Sequence, residues 1–392
     1  VTYTARAVFP VVGSPLLNGT LTVRGGRVTA VEPRGARTPD VDLGNVALIP
    51  GLVNAHTHLD LSGARGVVPP TDAAHFTDWL RGVIAFRRAR PPEQVQADVR
   101  AGLAEALAGG TTLLGDVTAD GASWGAVAAA PVRAVVFREM IGLSEARARA
   151  AWDQAVAWSA ATPDTPDCRK GLSPHAPYSA HRMLFTAPTA VALAAHLAES
   201  PGEVELLRAR TGPFVDFLRA IGAWDESGVA DLDDLLAALR HTGRYLFAHA
   251  NYLPPDAVRF LAGRHAVAYC PRTHAAFGHP PHPVRELLAR GVRVCLGTDS
   301  LASNPDLDVL AEARFVRARR PDVPAAAVLR MVTLAGAEAL GWADEAGSLE
   351  PGKSADAVAV PLPDRDAADP HELLFEGHPG PRRTLFRGAW RG

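Results

Sequence analysis

Two histidines stand two residues apart in Asn54-Ala55-His56-Thr57-His58, directly after an almost unbroken apolar run from Val46 to Val53. Side chains at i and i+2 of a strand point to the same side, so both imidazoles can face one point where that strand ends. Later strand-like stretches end in His196, His249 and Asp299, and Glu199 follows His196 by three residues. Each alone has an ordinary explanation: a hydrogen-bonded structural His, or, for Asp299 in Gly297-Thr298-Asp299-Ser300, a helix N-cap. Together, four strand ends carrying His or Asp point to one metal centre. Three His and one carboxylate suit Zn²⁺ or another borderline divalent ion. Such a centre keeps a place for water, whose pKa the ion lowers toward neutrality. Glu199 is placed to take that proton and later give it to a leaving group. His249 is placed to orient the hydroxide and steady charge as it develops.

Convergence requires a scaffold that brings strand ends to one face. From Leu52 to Leu340, strand and helix signals alternate about eight times, the signature of a (β/α)₈ TIM-like barrel. Strands are expected at Thr111 to Val117, Ala134 to Ile141, Gly171 to His175, Ala190 to Leu197, Tyr245 to Ala250, Ala266 to Cys270 and Val292 to Gly297. Helices are expected at Gln94 to Ala108, Ser144 to Ala160, Asp256 to Ala262, Pro283 to Arg290, Asp306 to Ala318 and Ala325 to Leu340. A doubly wound open sheet is the competitor, but no GxGxxG follows any strand. The ends read differently. Thr20 to Val23 and Arg27 to Val31 flank Gly25-Gly26, a hairpin signal, and Asp356 to Val360 and Arg383 to Phe386 are strand-like. Residues 1–50 and 345–392 are therefore expected to pair into a small composite β-sandwich, beside a barrel of residues 51–344. The run from Val46 to His58 reads as one strand buried on both faces.

Composition narrows the class further. Of 392 residues, 47% are hydrophobic and 21% charged, with a formal net charge of -2. This excludes a disordered chain and leaves no electrostatic footprint for nucleic acid or an anionic membrane. No apolar window is long enough for a membrane span, and Val1 to Gly19 lacks a leader pattern. Cys168, Cys270 and Cys295 form no CxxC, which reads as a reduced, cytoplasmic protein. Oligomeric state is open, a homodimer included.

With these motifs in hand, the chain resembles the amidohydrolase superfamily. Ile49-Pro50-Gly51-Leu52-Val53-Asn54-Ala55-His56-Thr57-His58 is similar to its strand-1 motif, His196-Leu197-Ala198-Glu199-Ser200 to strand 5 of its deaminase branch, and Leu296-Gly297-Thr298-Asp299-Ser300 to strand 8. Ser348 to Asp356 is similar to the return into the small β-domain. The resemblance implies one divalent ion, Zn²⁺ or Fe²⁺, held by His56, His58, His196 and Asp299. Two-metal members bridge their ions with a carboxylated Lys or a Glu at the end of strand 4. Here the only lysines are Lys170, upstream of that end, and Lys353 in the tail. Ser173-Pro174-His175-Ala176-Pro177-Tyr178-Ser179 is similar to deaminases of adenosine-like nucleosides, including thioadenosine, homocysteine-adenosine and aminofutalosine types, which implies that His175 touches substrate. Phe76-Thr77-Asp78-Trp79-Leu80 also resembles a pocket segment, where Trp79 either stacks on a flat heterocycle or packs in the core. The implied activity is hydrolytic deamination of an adenosine-like nucleoside or other amino-substituted heterocycle. Cyclic amide hydrolysis, triazine-type dechlorination and a non-catalytic interaction role are the alternatives.

Two departures from the family stand out. Thr273-His274 follows strand 7 where Ser-Asn is usual, and His274 is expected at the surface. Only 20 residues separate His175 from His196, so the intervening helix must be very short and His196 is the least anchored ligand. Glu203 and Glu205 are expected to face solvent, and His279 and His282 to lie in a loop. Arg138-Glu139 ends strand 3, either in an internal ion pair or within reach of substrate.

Overall fold

The computed structural model describes residues 1–377 and 380–391. Eight parallel strands form its centre: β1 (Leu52–Thr57), β2 (Thr111–Thr118), β3 (Arg133–Met140), β4 (Cys168–Pro174), β5 (Ala192–Leu197), β6 (Tyr245–His249), β7 (Ala266–Tyr269) and β8 (Arg293–Leu296). They pair in chain order, and a parallel bridge between Thr57 and Asp299 joins the last strand to the first. This is the expected barrel. β2 and β3 are buried at every position, as expected of parallel strands covered on both faces. Val53, Leu113, Val135, Phe137, Leu246 and Cys295 pack in one cluster from five of the strands.

The seam between β8 and β1 is tightly specified. The Asn54 side chain donates to Thr298 Oγ1 at 2.8 Å and accepts from the Thr298 N–H at 3.0 Å. The Asp299 N–H donates to the His56 carbonyl at 2.9 Å. Gly297 makes this approach feasible, because a Cβ there would lie 2.7 Å from the His56 Cβ.

The two ends form two further sheets. Thr2–Thr4, Thr20–Arg24, Arg27–Glu32 and Val41–Asp42 make a four-stranded one. Ala7–Val8, Leu16–Leu17 and Val46–Pro50 join Ala357–Pro361, Arg383–Phe386 and Ala389–Arg391 in a six-stranded one. Tyr3, Leu21 and Val28 from the first share a core with Leu48, Ala357 and Leu385 from the second, so both termini build the sandwich.

Several elements differ from expectation, each for a local reason. The run from Val46 to His58 is two strands in two sheets, not one. The break is at Gly51, where a Cβ would sit 2.0 Å from Thr112 Oγ1 and whose N–H donates to the Asp356 carbonyl at 2.9 Å. The helix expected at Ala325 to Leu340 is two, Ala325–Met331 and Leu334–Ala339. The interruption frees the Val332 carbonyl to accept the Val53 N–H of β1 at 2.8 Å. Asp256 to Ala262 supplies only a 3₁₀ turn, Ala257–Phe260. Between β4 and β5 the helix is indeed minimal, the five residues Arg182–Thr186. Three helices after β5, at Pro201–Ala209, Pro213–Ala220 and Leu232–Leu239, cover that side instead.

A buried ion pair ties the barrel to the terminal sheets. Arg133, at the start of β3, meets Asp356, and both side chains are 3% exposed. Asp356 also accepts from the Arg387 N–H at 2.8 Å and from Ser354 Oγ at 2.9 Å. Arg133→Ala leaves that carboxylate buried without its countercharge. The expected loss is about 3–5 kcal/mol of stability, read from the denaturation midpoint; a variant as stable as the parent would show that the pair holds nothing together.

Candidate active site

The strand ends deliver their polar groups to one buried point. His56 leaves the end of β1 and His58 follows it; His196 lies on β5, His249 ends β6, and Asp299 follows β8. All five are at most 6% exposed. The Nε2 atoms of His58 and His196 are 3.3 Å apart. Asp299 Oδ1 is 3.6 Å from Nε2 of both His56 and His58. Glu199 Oε1 is 3.4 Å from His249 Nε2. Ligand atoms of His56, His58 and Asp299, of His56, His196 and His249, and of Glu199, His249 and Asp299 each lie within 4.8 Å of one another.

Unusual backbone aims these groups. Ala198, His249, Ala250 and Asp299 have φ of 50°, 71°, 55° and 61°, a left-handed conformation that non-glycine residues rarely adopt and that concentrates at functional sites. Hydrogen bonds hold it: the Ala250 N–H donates to the Leu197 carbonyl at 2.9 Å, and His282 Nε2 donates to the His249 carbonyl at 2.8 Å. His196 Nδ1 donates to the His175 carbonyl at 2.8 Å, which fixes the tautomer and leaves Nε2 free as a ligand.

Burial separates the protonation states. It pulls the imidazole of His58 down to about 3, assisted by the neighbouring His56, and that of His249 also to about 3. His196 is likewise held neutral by burial and by the surrounding imidazoles. Burial opposes ionisation of Asp299, but the adjacent imidazoles of His56, His58 and His249 outweigh it and hold that carboxylate far below its usual range. Glu199 moves the opposite way, well above its usual range, through burial and the negative charges of Asp299 and Glu203. One ionised and one protonated carboxyl in a single pocket is the arrangement acid–base chemistry uses.

These residues fit a divalent cation. Nε2 of His56 and of His249 are buried without a hydrogen-bond partner, and facing Nε2 lone pairs at 3.3 Å are unfavourable unless a cation or proton lies between them. Neutral imidazoles plus an ionised carboxylate are the protonation states a metal requires. Lys170 is remote from this point, its Nζ donating to the Thr162 carbonyl at 2.9 Å.

The other expected residues line the cavity in front of the cluster. It measures about 60 Å³ and is bounded by Trp79, Arg87, Glu139, His175, Tyr178 and Ser300, among others. His175 stands beside His196 with ring centroids 4.8 Å apart. Trp79 packs edge-on against Phe277 at 5.0 Å and also forms part of the cavity wall. A larger hollow of about 900 Å³ lies in the N-terminal region beside Asp364–Asp366 and contains none of these groups.

Two expectations need correction. Glu203 does not face solvent; it is fully buried, and its carboxylate accepts the N–H groups of Ala198 at 3.1 Å and Glu199 at 2.8 Å. It is the N3 residue after the N-cap Ser200, so Ser200-Pro201-Gly202-Glu203 was a readable S-x-x-E capping signal, here turned to pinning Glu199. His274 is buried rather than at the surface, with Nδ1 3.0 Å from Asn251 Oδ1, while Asn251 Nδ2 donates to the Glu199 carbonyl at 3.0 Å. His282 lies in a loop, as expected, and is buried there, stacked on Tyr269. Behind Asp299, Ser303 Oγ donates to Oδ2 at 3.0 Å, with the Thr273 hydroxyl 3.0 Å from Ser303 Oγ. Thr273 thus extends the support of Asp299. Asn54 and Ser303 were given no role from the sequence, and Glu203 only a surface one.

A parallel barrel with clustered imidazoles and carboxylates at the ends of its strands is the architecture of a metal-dependent hydrolase. The chain belongs to the amidohydrolase family, which matches residues 47–384, and so is a hydrolase of carbon–nitrogen bonds other than peptide bonds. It is 32% identical over 389 residues to a 5-methylthioadenosine/S-adenosylhomocysteine deaminase of Moorella thermoacetica, covering 93% of this chain and 85% of that one. Helicobacter pylori aminofutalosine deaminase in complex with methylthio-coformycin superposes with a TM-score of 0.86 at 20% identity, over 100% of this chain and 99% of that one. An adenosine deaminase from Xanthomonas campestris with bound zinc gives 0.81 at 25% identity, over 99% and 92%. Among the described residues, no helix is long and apolar enough to cross a membrane.

Metal binding should stabilise the fold by mass action. At a free Zn²⁺ concentration 100 times its Kd, chelator-stripped protein should gain about 2.7 kcal/mol, visible as a rise in Tm. Asp299→Asn should lose most of that rise. A melting curve indifferent to Zn²⁺ in the parent protein would refute the metal centre.

Proposed function

We propose that this chain hydrolytically deaminates an adenosine-like nucleoside, using one divalent ion, Zn²⁺, held by His56, His58, His196 and Asp299. The observation that carries the reading is the convergence of Glu199, His249 and Asp299 on that cluster, in a chain related over nearly its whole length to a nucleoside deaminase. When bound, the ion supplies Lewis acidity that brings the pKa of water toward neutrality.

The remaining work falls to the side chains. His175 and Trp79 hold the heterocycle, with Tyr178 beside them on the cavity wall. Water adds to the ring carbon that bears the exocyclic amine. Asp299, ionised and braced by Ser303, is a fixed acceptor for its proton. Glu199, kept protonated by burial, donates to the ring nitrogen next to the attacked carbon, and its backbone is fastened by Glu203 so that the carboxyl does not wander. His249 Nε2, neutral and without a protein partner, orients the attacking oxygen. Asp299 returns its proton to the amine, the C–N bond breaks and ammonia leaves, while the proton of the added hydroxyl passes to Glu199 as the C=O bond forms. The three buried, unpaired cysteines suit a reducing compartment, and the reading places the enzyme in the cytoplasm.

Ammonia release from a panel of 6-aminopurine nucleosides by Zn²⁺-loaded protein tests this directly. Glu199→Gln should retain its metal and lose about 10²–10⁴-fold in kcat. Chloride from chlorotriazines, or ring opening of cyclic amides, without ammonia from any nucleoside would favour the alternative chemistries and overturn the reading. An unaltered rate in Glu199→Gln would remove Glu199 from the proton path.

A further inference from the structure

The histidine pair that opens the cluster does not leave a regular strand. Asn54 of β1 pairs with Leu114 of β2, and Thr57 with Asp116, so β1 carries one extra residue over this stretch. Such a bulge bends a strand and re-aims its side chains, often beside an active site. Here it falls between Asn54 and Thr57, where His56 leaves the strand and just ahead of His58. Gly115 makes room for it: a Cβ there would lie 2.3 Å from the Ala55 carbonyl oxygen.

One buried carboxyl fastens the bulge. Asp116 has no exposed surface. Its Oδ1 accepts from the Thr57 hydroxyl at 3.0 Å and from the Leu59 N–H at 2.9 Å, so it holds the residues on both sides of His58. Its Oδ2 accepts from Ser123 Oγ, just before the helix Trp124–Ala128. On its other flank Thr57 bridges to Asp299. The residue between the two histidines is thus gripped from β2 and from the segment that carries the ligand carboxylate. Asp116 itself lies behind the cavity, not on its wall. Burial pushes its carboxyl up to about 7, against the hydrogen bonds from Ser123, Leu59 and Thr57. A buried carboxyl is unfavourable without partners, and the donors that aim His58 are the partners it has.

We propose that Asp116 is a positioning residue for His56 and His58, and that its grip on Thr57 and Leu59 sets the affinity of the site for Zn²⁺. This rests on the metal centre proposed above, not on the choice of substrate. Groups that hold metal ligands from behind account for about 10- to 100-fold in metal affinity. The grip is geometric: an amide in this place keeps an oxygen for Thr57 and Leu59 and turns its NH₂ to the Ser123 hydroxyl.

The test is the Zn²⁺ dissociation constant of chelator-stripped, folded protein, measured by competition with a chromophoric chelator, with the metal-free Tm alongside. Asp116→Ala should weaken binding by about 10- to 100-fold, whereas Asp116→Asn should stay within about 3-fold of the parent. Thr57→Val removes one donor and leaves the carboxyl in place. It should weaken binding by about 2- to 10-fold alone, and by less than about 2-fold on top of Asp116→Ala, because that contact is already lost. A lowered metal-free Tm with unchanged Zn²⁺ affinity would reduce Asp116 to a structural residue and overturn the proposal. So would binding as weak in Asp116→Asn as in Asp116→Ala, or fully additive losses. If Asp116→Ala does not fold, unchanged affinity in Thr57→Val overturns the proposal by itself. A parent that binds no Zn²⁺ overturns it together with the metal centre. Zn²⁺ affinities that follow the expected order, without ammonia release from any nucleoside, uphold it and defeat only the deaminase reading.

Discussion

The structure turns on crowding donor atoms out of water. Four imidazoles and two carboxyls meet within one buried pocket, and their mutual repulsion and desolvation would scatter them if the backbone did not enforce the meeting. The strand ends supply that enforcement, through left-handed turns at Ala198, His249, Ala250 and Asp299 and through carbonyls that lock His196 and His282. The burial that makes the cluster expensive also makes it useful. It keeps His58, His196 and His249 neutral and Glu199 protonated, while the adjacent imidazoles hold Asp299 ionised against it, the states that metal binding and proton transfer need.

The supporting residues divide the labour. Asn54 and Gly297 set the spacing between the first and last strands. Ser303 and Thr273 brace Asp299 from behind. Glu203 holds the backbone that presents Glu199. None touches the point where the ligands meet, yet each fixes a group that does, and placement within a fraction of an ångström is what such sites require.

Much of this was legible in the chain itself. His56 and His58 declared themselves by their spacing, and His196, His249 and Asp299 by ending apolar runs, because barrel strands must be apolar until they emerge at the mouth. The eight-fold alternation fixed the architecture for the same reason. What escaped was set by contacts distant in sequence. Nothing near Gly51 shows that Thr112 packs against it and divides one apolar run between two sheets. Nothing near Val332 shows that Val53 will claim its carbonyl and break a helix. Glu203 and His274 look like surface residues by type; only the fold reveals that their polar atoms are consumed inside. Local patterns report which face of an element is apolar, but not which polar group has a partner waiting there.

The seam between the first and last strands has a bearing on how the molecule matures. His56 and His58 lie on one side of it and Asp299 on the other, more than 240 residues later. A nascent polypeptide emerging from the ribosome carries the early histidines long before the aspartate exists. The proposed coordination set is assembled only when the cylinder closes, so on that reading acquisition of the cation is a late step that seals the finished protein rather than a seed that starts its folding.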